Sequence, residues 1–387
     1  MSRSNDAGHF FQTTEALATS ERKTAKASNK RGKPIKLPSK ILAARADPDN
    51  DACIYVAEAA GEIKRVNVDT GEVRKVFAQG VAPLPSLAIC THSQSVFAGC
   101  WDKNIYQIRL WDRRLVRTLQ GHTDFVKCLL STTLNGKPIL VSGGADATII
   151  IWDVEFSKPL HKLKGHTKSL QALAIDPRSV YEGTGIDAGF VLFSASSDRE
   201  IRRWHISYCG AREFSDSIAK PILAHDTSVY SLCFDSEGDL WTASADKTAK
   251  HLVRTRDWEA DTVLPHPDFV RDVVVAERLG VVVTACRDED VRVWDIASGD
   301  LVCAFSGHFE EVTALVLLGK GSRVASVSID GTIRSWGLTG QEIASYQEEL
   351  KREADGLDAG EGDVQAKQGV LTAEEEAELA ELMDDDD

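Results

Sequence analysis

The chain has 387 residues, 43% apolar and 27% charged, with a formal net charge of -14, a composition that supports a sizeable core and excludes wholesale disorder. No run approaches the roughly 18 uninterrupted apolar residues needed to span a bilayer. The first 20 residues carry Asp6 and Glu15 and no apolar run of leader length, so the expectation is an intracellular protein, cytoplasmic or nuclear or both.

Eight cysteines (Cys53, Cys90, Cys100, Cys128, Cys209, Cys233, Cys286 and Cys303) never form a CxxC pair, and most lie inside apolar runs. Reduced core residues are expected, with no metal and no cofactor implied. Residues 1–40 hold nine Lys/Arg and three acids. Arg22, Lys23, Lys26, Lys30, Arg31 and Lys33 lie among Ser, Thr and Ala, a segment too polar to fold alone. Residues 1–37 are therefore predicted to be a basic disordered arm, either solvated or a weak nuclear-localisation or anionic-surface patch.

From there the chain repeats itself. Gly-His pairs at Gly121-His122, Gly165-His166 and Gly307-His308, with His225 and His266 in degenerate versions, each precede two apolar runs and an Asp. The Asp residues are Asp146, Asp198, Asp246, Asp288 and Asp330; six positions later stand Trp152, Trp204, Leu252, Trp294 and Trp336. This pattern resembles the WD40 repeat family. Extended backward through Asp102 and Ala60, the frame gives turn positions 60, 102, 146, 198, 246, 288 and 330. Seven units imply an all-β fold, a seven-bladed WD40 β-propeller over residues 38–347. Short runs bounded by Gly, Asp or Asn, as in KPILVSGGADATIIIWD, read as antiparallel strands of four-stranded blades, and because each blade needs its neighbours the ring is the folding unit.

Ser142, Ser194, Thr284 and Ser326 each lie four before the turn Asp. The sets His122/Ser142/Asp146/Trp152, His166/Ser194/Asp198/Trp204, His266/Thr284/Asp288/Trp294 and His308/Ser326/Asp330/Trp336 contain the Ser, His and Asp of a hydrolase. A nucleophile site occurs once, whereas this set occurs four times, with a fifth (His225/Thr242/Asp246) lacking only its Trp. The resemblance implies buried structural hydrogen-bond chains instead. No GxxxxGK[ST] loop, HExxH pair or GxGxxG after a strand is present, so the expectation is a protein that is not an enzyme.

Antiparallel order puts the outer-to-inner and second-to-third strand connections on one face. Trp101, Phe125, Lys127, Tyr230, Phe269, Arg271 and Arg287 fall there, and aromatics and arginine are the usual anchors of peptide hot spots. The resemblance implies that such a rim receives a peptide. Two insertions in the fourth unit, DPRSVYEGTGIDAG and SYCGAREFSDSIAKP, project from the other face as a second candidate surface. Trp111-Asp112 is out of register, because ungapped alignment of the units puts Ile108 on Trp152. With Arg113 and Arg114 it forms a string resembling the WDxR box of ubiquitin-ligase substrate receptors, three residues too late. For ring closure, GQEIASYQ (340–347) resembles the outer strand GDLVCAFS, with residues 31–37 as the competing donor.

Residues 348–387 carry sixteen acids and three bases. Within this acidic tail Thr372 and Glu375 form a capping box for a short helix over 372–383, on which Leu371, Leu379, Leu382 and Met383 share a face. The acidic body and tail point away from nucleic acid. The main expectation is a non-enzymatic scaffold for protein–protein interactions within a multiprotein complex. Alternatives are a chaperone or escort for a basic client (a ribosomal protein or histone) through the acidic tail, and a substrate receptor of a cullin-type ubiquitin ligase.

Overall fold

A computed structural model describes residues 23–354 apart from 25, 27, 180–188 and 215–220, in a chain that divides into a unit of residues 1–343 and a unit of residues 344–387. The first unit holds seven four-stranded antiparallel sheets. Blades 1 to 6 occupy 41–77, 86–120, 126–164, 170–213, 229–265 and 270–306; blade 7 combines 312–337 with residues 35–36. Strands are lettered a to d from the channel outward. In blade 3 they are Val126–Leu134, Lys137–Gly144, Thr148–Asp153 and Lys158–Lys164. The middle strands are β-branched and buried on both faces, as in TIIIWD, while the outer strand is mostly exposed.

Packing between blades makes the core. Phe97 and Ile105 of blade 2 meet Val126, Ile150 and Trp152 of blade 3, and truncating such a side chain to Ala costs about 2–5 kcal/mol. Blade 1 joins blade 7 through Ile41, Ala44 and Ile54 against Ala314, Val316 and Ile333.

All seven b–c turns share one device. The residue after the turn position (Gly61, Lys103, Ala147, Arg199, Lys247, Glu289 or Gly331) has φ between 59° and 81°, a left-handed conformation that costs a non-glycine residue about 1–2 kcal/mol. The turn Asp offsets this by accepting the N–H two residues on, as Asp146 does from Thr148 (3.1 Å), Asp198 from Glu200 (3.0 Å) and Asp330 from Thr332 (2.7 Å). Blade 1, with Ala60 in place of Asp, uses Gly61.

Ring closure corrects one expectation. Residues 340–347 are not a strand: Gly340–Ala354 is a helix, started where the Thr339 hydroxyl and the Glu342 carboxylate cap each other's backbone N–H. The competing donor closes the ring. Ile35–Lys36 pairs with strand c of blade 7, Ile35 opposite Ile333 and Lys36 opposite Thr332, flanked by Ser335 N–H to Gly32 O and Leu37 N–H to Gly331 O, each 2.8 Å. The Arg334 guanidinium donates to the Arg31 and Asn29 carbonyls. Gly32 (φ 67°) passes so close to Trp336 that a Cβ would lie 2.8 Å from the ring. Part of the basic arm is therefore blade. The helix expected over 372–383 and the middles of both fourth-blade insertions lie outside the described residues.

Candidate functional site

The Ser–His–Asp sets come together as one-way hydrogen-bond chains. In blade 3, Trp152 Nε1–H donates to Ser142 Oγ (2.8 Å), Ser142 reaches His122 Nε2 (2.8 Å), and His122 Nδ1 lies 3.1 Å from Asp146. Blade 4 repeats this through Trp204, Ser194, His166 and Asp198, and blade 7 through Trp336, Ser326, His308 and Asp330. Blade 5 has the same chain from Thr242 through His225 to Asp246. Each serine is fully buried and its oxygen already accepts an indole N–H, so the geometry leaves a nucleophile no approach to substrate. Burial would raise Asp146, but the Thr123 N–H, Thr148 hydroxyl and His122 outweigh it and hold the carboxyl down at about 2.

The blade 6 set departs from the expectation. Thr284 joins His266 (2.8 Å) and Trp294 (2.9 Å), but His266 Nδ1 donates to Leu264 O (3.0 Å). Asp288 is held instead by both terminal nitrogens of Arg292 (3.0 and 2.6 Å). Burial, reinforced by the Arg292 charge, pushes His266 down to about 4. The physical reason is competition: a forked guanidinium on strand c outbids a neutral imidazole for the same carboxylate.

Four of the seven rim residues reach the central channel, a cavity of about 440 Å³ lined by strand a of every blade. Trp101, Lys127, Tyr230 and Arg271 line it. Trp101 stacks on Phe125 with ring centroids 5.2 Å apart, and both rings are nearly 40% exposed. Arg271 lies 4.3 Å over Tyr230 and is paired with Glu311 at 2.6 Å. Burial, with the Arg271 charge next, holds Lys127 below the usual lysine range. Phe269 and Arg287 do not line the cavity and form their own cation–π pair, 5.1 Å apart.

Sequence reasoning missed Asp272, Glu311 and Gln171 in the same channel. Burial raises the Asp272 carboxyl while Ser231 Oγ (2.7 Å) and the Leu315 and Val273 N–H groups (2.9 Å each) donate to it, tying blades 5, 6 and 7 together. The only signal was a charged dipeptide inside VRDVVVA. Three side chains that could hold a metal, Asp235, Asp239 and His251, converge at the other end of blade 5, where His251 already bridges Asp235 (3.2 Å) and Asp261 (2.8 Å). The eight thiols are unpaired, six of them buried, and no described helix is long and apolar enough to cross a membrane.

Comparison with known proteins agrees with this architecture. The model of the WD domain, G-beta repeat, matches residues 113–153, 157–205, 218–251 and 299–337. Pre-mRNA-processing factor 19 of Mus musculus is 24% identical over 46% of this chain and 32% of its own length. The guanine nucleotide-binding protein subunit beta of Zea mays is 27% identical over 62% of this chain and 63% of its own length. An uncharacterized WD repeat-containing protein of Schizosaccharomyces pombe is 32% identical over 99% of this chain and 100% of its own length. With that relationship and seven blades built on the repeat, the chain belongs to the WD repeat family.

Proposed function

We propose that this chain is a non-enzymatic scaffold that holds a peptide segment of a partner protein at the channel mouth, as one member of a multiprotein assembly. The observation that supports it is the stacked, half-exposed Trp101–Phe125 pair beside Lys127 and the Tyr230–Arg271 pair. Aromatic and arginine anchors at the edge of a desolvated pocket are where binding energy concentrates, at about 2 kcal/mol or more for each hot spot. The test is affinity purification and mass spectrometry of the wild-type chain against a Trp101→Ala/Phe125→Ala double variant. The double variant is expected to lose a defined set of co-purifying proteins at unchanged melting temperature. An unchanged set overturns the assignment of the mouth as the binding surface.

A second reading, an escort for a basic client such as a ribosomal protein or histone, rests on the sixteen acids against three bases in residues 348–387. Deleting that segment takes the formal charge from -14 to -1. The escort reading expects this deletion to weaken client binding sharply and to remove much of its salt dependence. A salt-insensitive complex that survives the deletion excludes it.

A further inference from the structure

The strongest feature outside the channel lies on the outer edge of the ring, between the outer strands of blades 1 and 2. Residues 109–117, RLWDRRLVR, carry four arginines and one aspartate, a basic stretch on a chain of net charge -14. The Asp112 carboxylate is taken by Arg109 (3.0 Å from Nε), whose guanidinium lies 4.3 Å over the Trp111 ring. Arg117 is occupied by the Glu155 carbonyl (2.8 Å) and the Ser157 hydroxyl (2.7 Å) of blade 3. Arg113 and Arg114 have no ion-pair partner among the described residues and are exposed.

These two arginines border a groove of about 640 Å³ between the outer strands of blades 1 and 2, lined also by Lys75, Val76, Phe77 and Leu115. Val76 and Phe77 are buried and form an apolar floor; Leu115 is exposed at the edge. Lys75 is neutralised by Glu62 at 2.8 Å, which leaves Arg113 and Arg114 as the uncompensated charge. Beside the groove Trp111 is 72% exposed, an arrangement that water disfavours and a docked chain would relieve.

From this combination we infer that the groove between blades 1 and 2 is a second docking site, for an acidic segment of a partner protein that places an apolar side chain over Val76 and Phe77 and its carboxylates on Arg113 and Arg114. Guanidinium forks with no internal partner select carboxylates, and the apolar floor between them selects a segment in which acids alternate with apolar residues. The site does not depend on the channel mouth, because the two share no lining residue; each can fail alone. Together they would let one propeller bridge two proteins.

The probe is a fluorescein-labelled dodecapeptide of alternating Glu and Leu, titrated by anisotropy against the full-length chain, with the Lys–Leu peptide as counterpart. Binding of the acidic peptide is expected, weakening at least tenfold in Arg113→Glu/Arg114→Glu and in Leu115→Asp and unchanged in Trp101→Ala, with melting temperatures showing that the variants fold. Equal binding of the Lys–Leu peptide, no binding of the acidic one, or undiminished affinity in the charge-reversed variant each overturns the inference. Light scattering on the same samples tests a second copy of the chain as the occupant. A dimer abolished by Arg113→Glu/Arg114→Glu would assign the groove to a second copy of the chain and overturn the partner assignment.

Discussion

Blades 6 and 7 are neighbours with the same His, Ser or Thr, Asp and Trp set and an arginine at the same place, four residues after the turn Asp. They hold their turns differently. In blade 6 Arg292 takes Asp288 and His266 turns away to a backbone carbonyl. In blade 7 Arg334 is drawn off by the Asn29 and Arg31 carbonyls of the closing segment, and Asp330 is left to His308 and Thr332. Blade 4 agrees, since Arg202 is engaged by Glu200 and Glu213 (2.7 and 3.0 Å) and Asp198 keeps its histidine. Blade 2, with no histidine ahead of its first strand, uses Tyr106 from that same position to hold Asp102. The turn carboxylate needs a donor from one side or the other, and what occupies the residue four positions on decides which.

The largest effect should come from removing residues 1–37. Blade 7 then loses its fourth strand, and Arg334, almost fully buried, loses both carbonyl acceptors. The melting temperature should fall by many degrees. If Arg334 then turns to Asp330, as Arg292 does to Asp288, the His308 ring resonances will shift; an unchanged His308 environment would refute the competition argument. Gly32→Val probes the same closure by a point change, and should destabilise through both its positive φ and its clash with Trp336.

Next in size is the contrast between Asp330→Ala and Asp288→Ala. Asp330 accepts from His308, the Phe309 N–H and Thr332, and each stranded buried donor costs about 1–3 kcal/mol. Asp288 chiefly serves Arg292, which Asp290 also approaches at 3.5 Å. Denaturant melts should therefore rank Asp330→Ala as the more damaging. Equal losses would mean that the two turns are held alike.

A smaller effect separates the blades by pH. His266 is pushed down to about 4 from an ordinary 6.5, and His122 and His308 are shifted the same way, by burial first. Between pH 6.5 and 4 the unfolded chain binds a proton that folded His266 does not, and His122 and His308 act in the same direction. Their contribution to stability is thus present above pH 6.5 and lost as pH falls through that window. Arg292→Leu should let His266 reach Asp288, raise its pKa as read by NMR titration, and make the decline shallower. The smallest expected change is a gain: Ala147→Gly relieves a left-handed alanine (φ 59°), raising stability by about 0.5–1 kcal/mol net of the entropy glycine loses.

The turn frame was legible because position 60, 102, 146 and the rest each precede a left-handed residue, which the turn Asp braces in six blades and which is itself Gly61 in the blade without that Asp. Three of the four full sets were legible for the same local reason. Blade 6 was not, because the deciding contact comes from Arg292, which the repeat pattern treats as an ordinary strand residue. Closure differs from the expectation because GQEIASYQ and GDLVCAFS share a leading Gly and apolar residues at three matched positions (Ile343/Val302, Ala344/Cys303, Tyr346/Phe305), whereas Thr339 and Glu342 form a capping box that starts a helix. The true closing strand, Ile35–Lys36 between Pro34 and Pro38, is too short to carry any period. At the rim, residue types and their face were readable from strand order, but the division into a channel-mouth group and a separate Phe269–Arg287 pair depends on where rings stack.

Ile35 and Ile333 pair across 298 positions of chain, so a growing polypeptide makes one half of this pair before its first blade and the other only in its seventh. Blades 1 to 6 contain all four of their own strands and have local partners as they leave the ribosome. Blade 7 pairs strand c with strand b, but the outer edge of strand c has no partner until the amino-terminal segment swings across the finished ring, a closure whose entropic cost grows only with the logarithm of the span. Until that moment Thr332–Gly337 presents an unpaired edge, a template open to any other extended chain nearby. The interval between the synthesis of that strand and the swing is the period in which newly made copies are most exposed to joining one another.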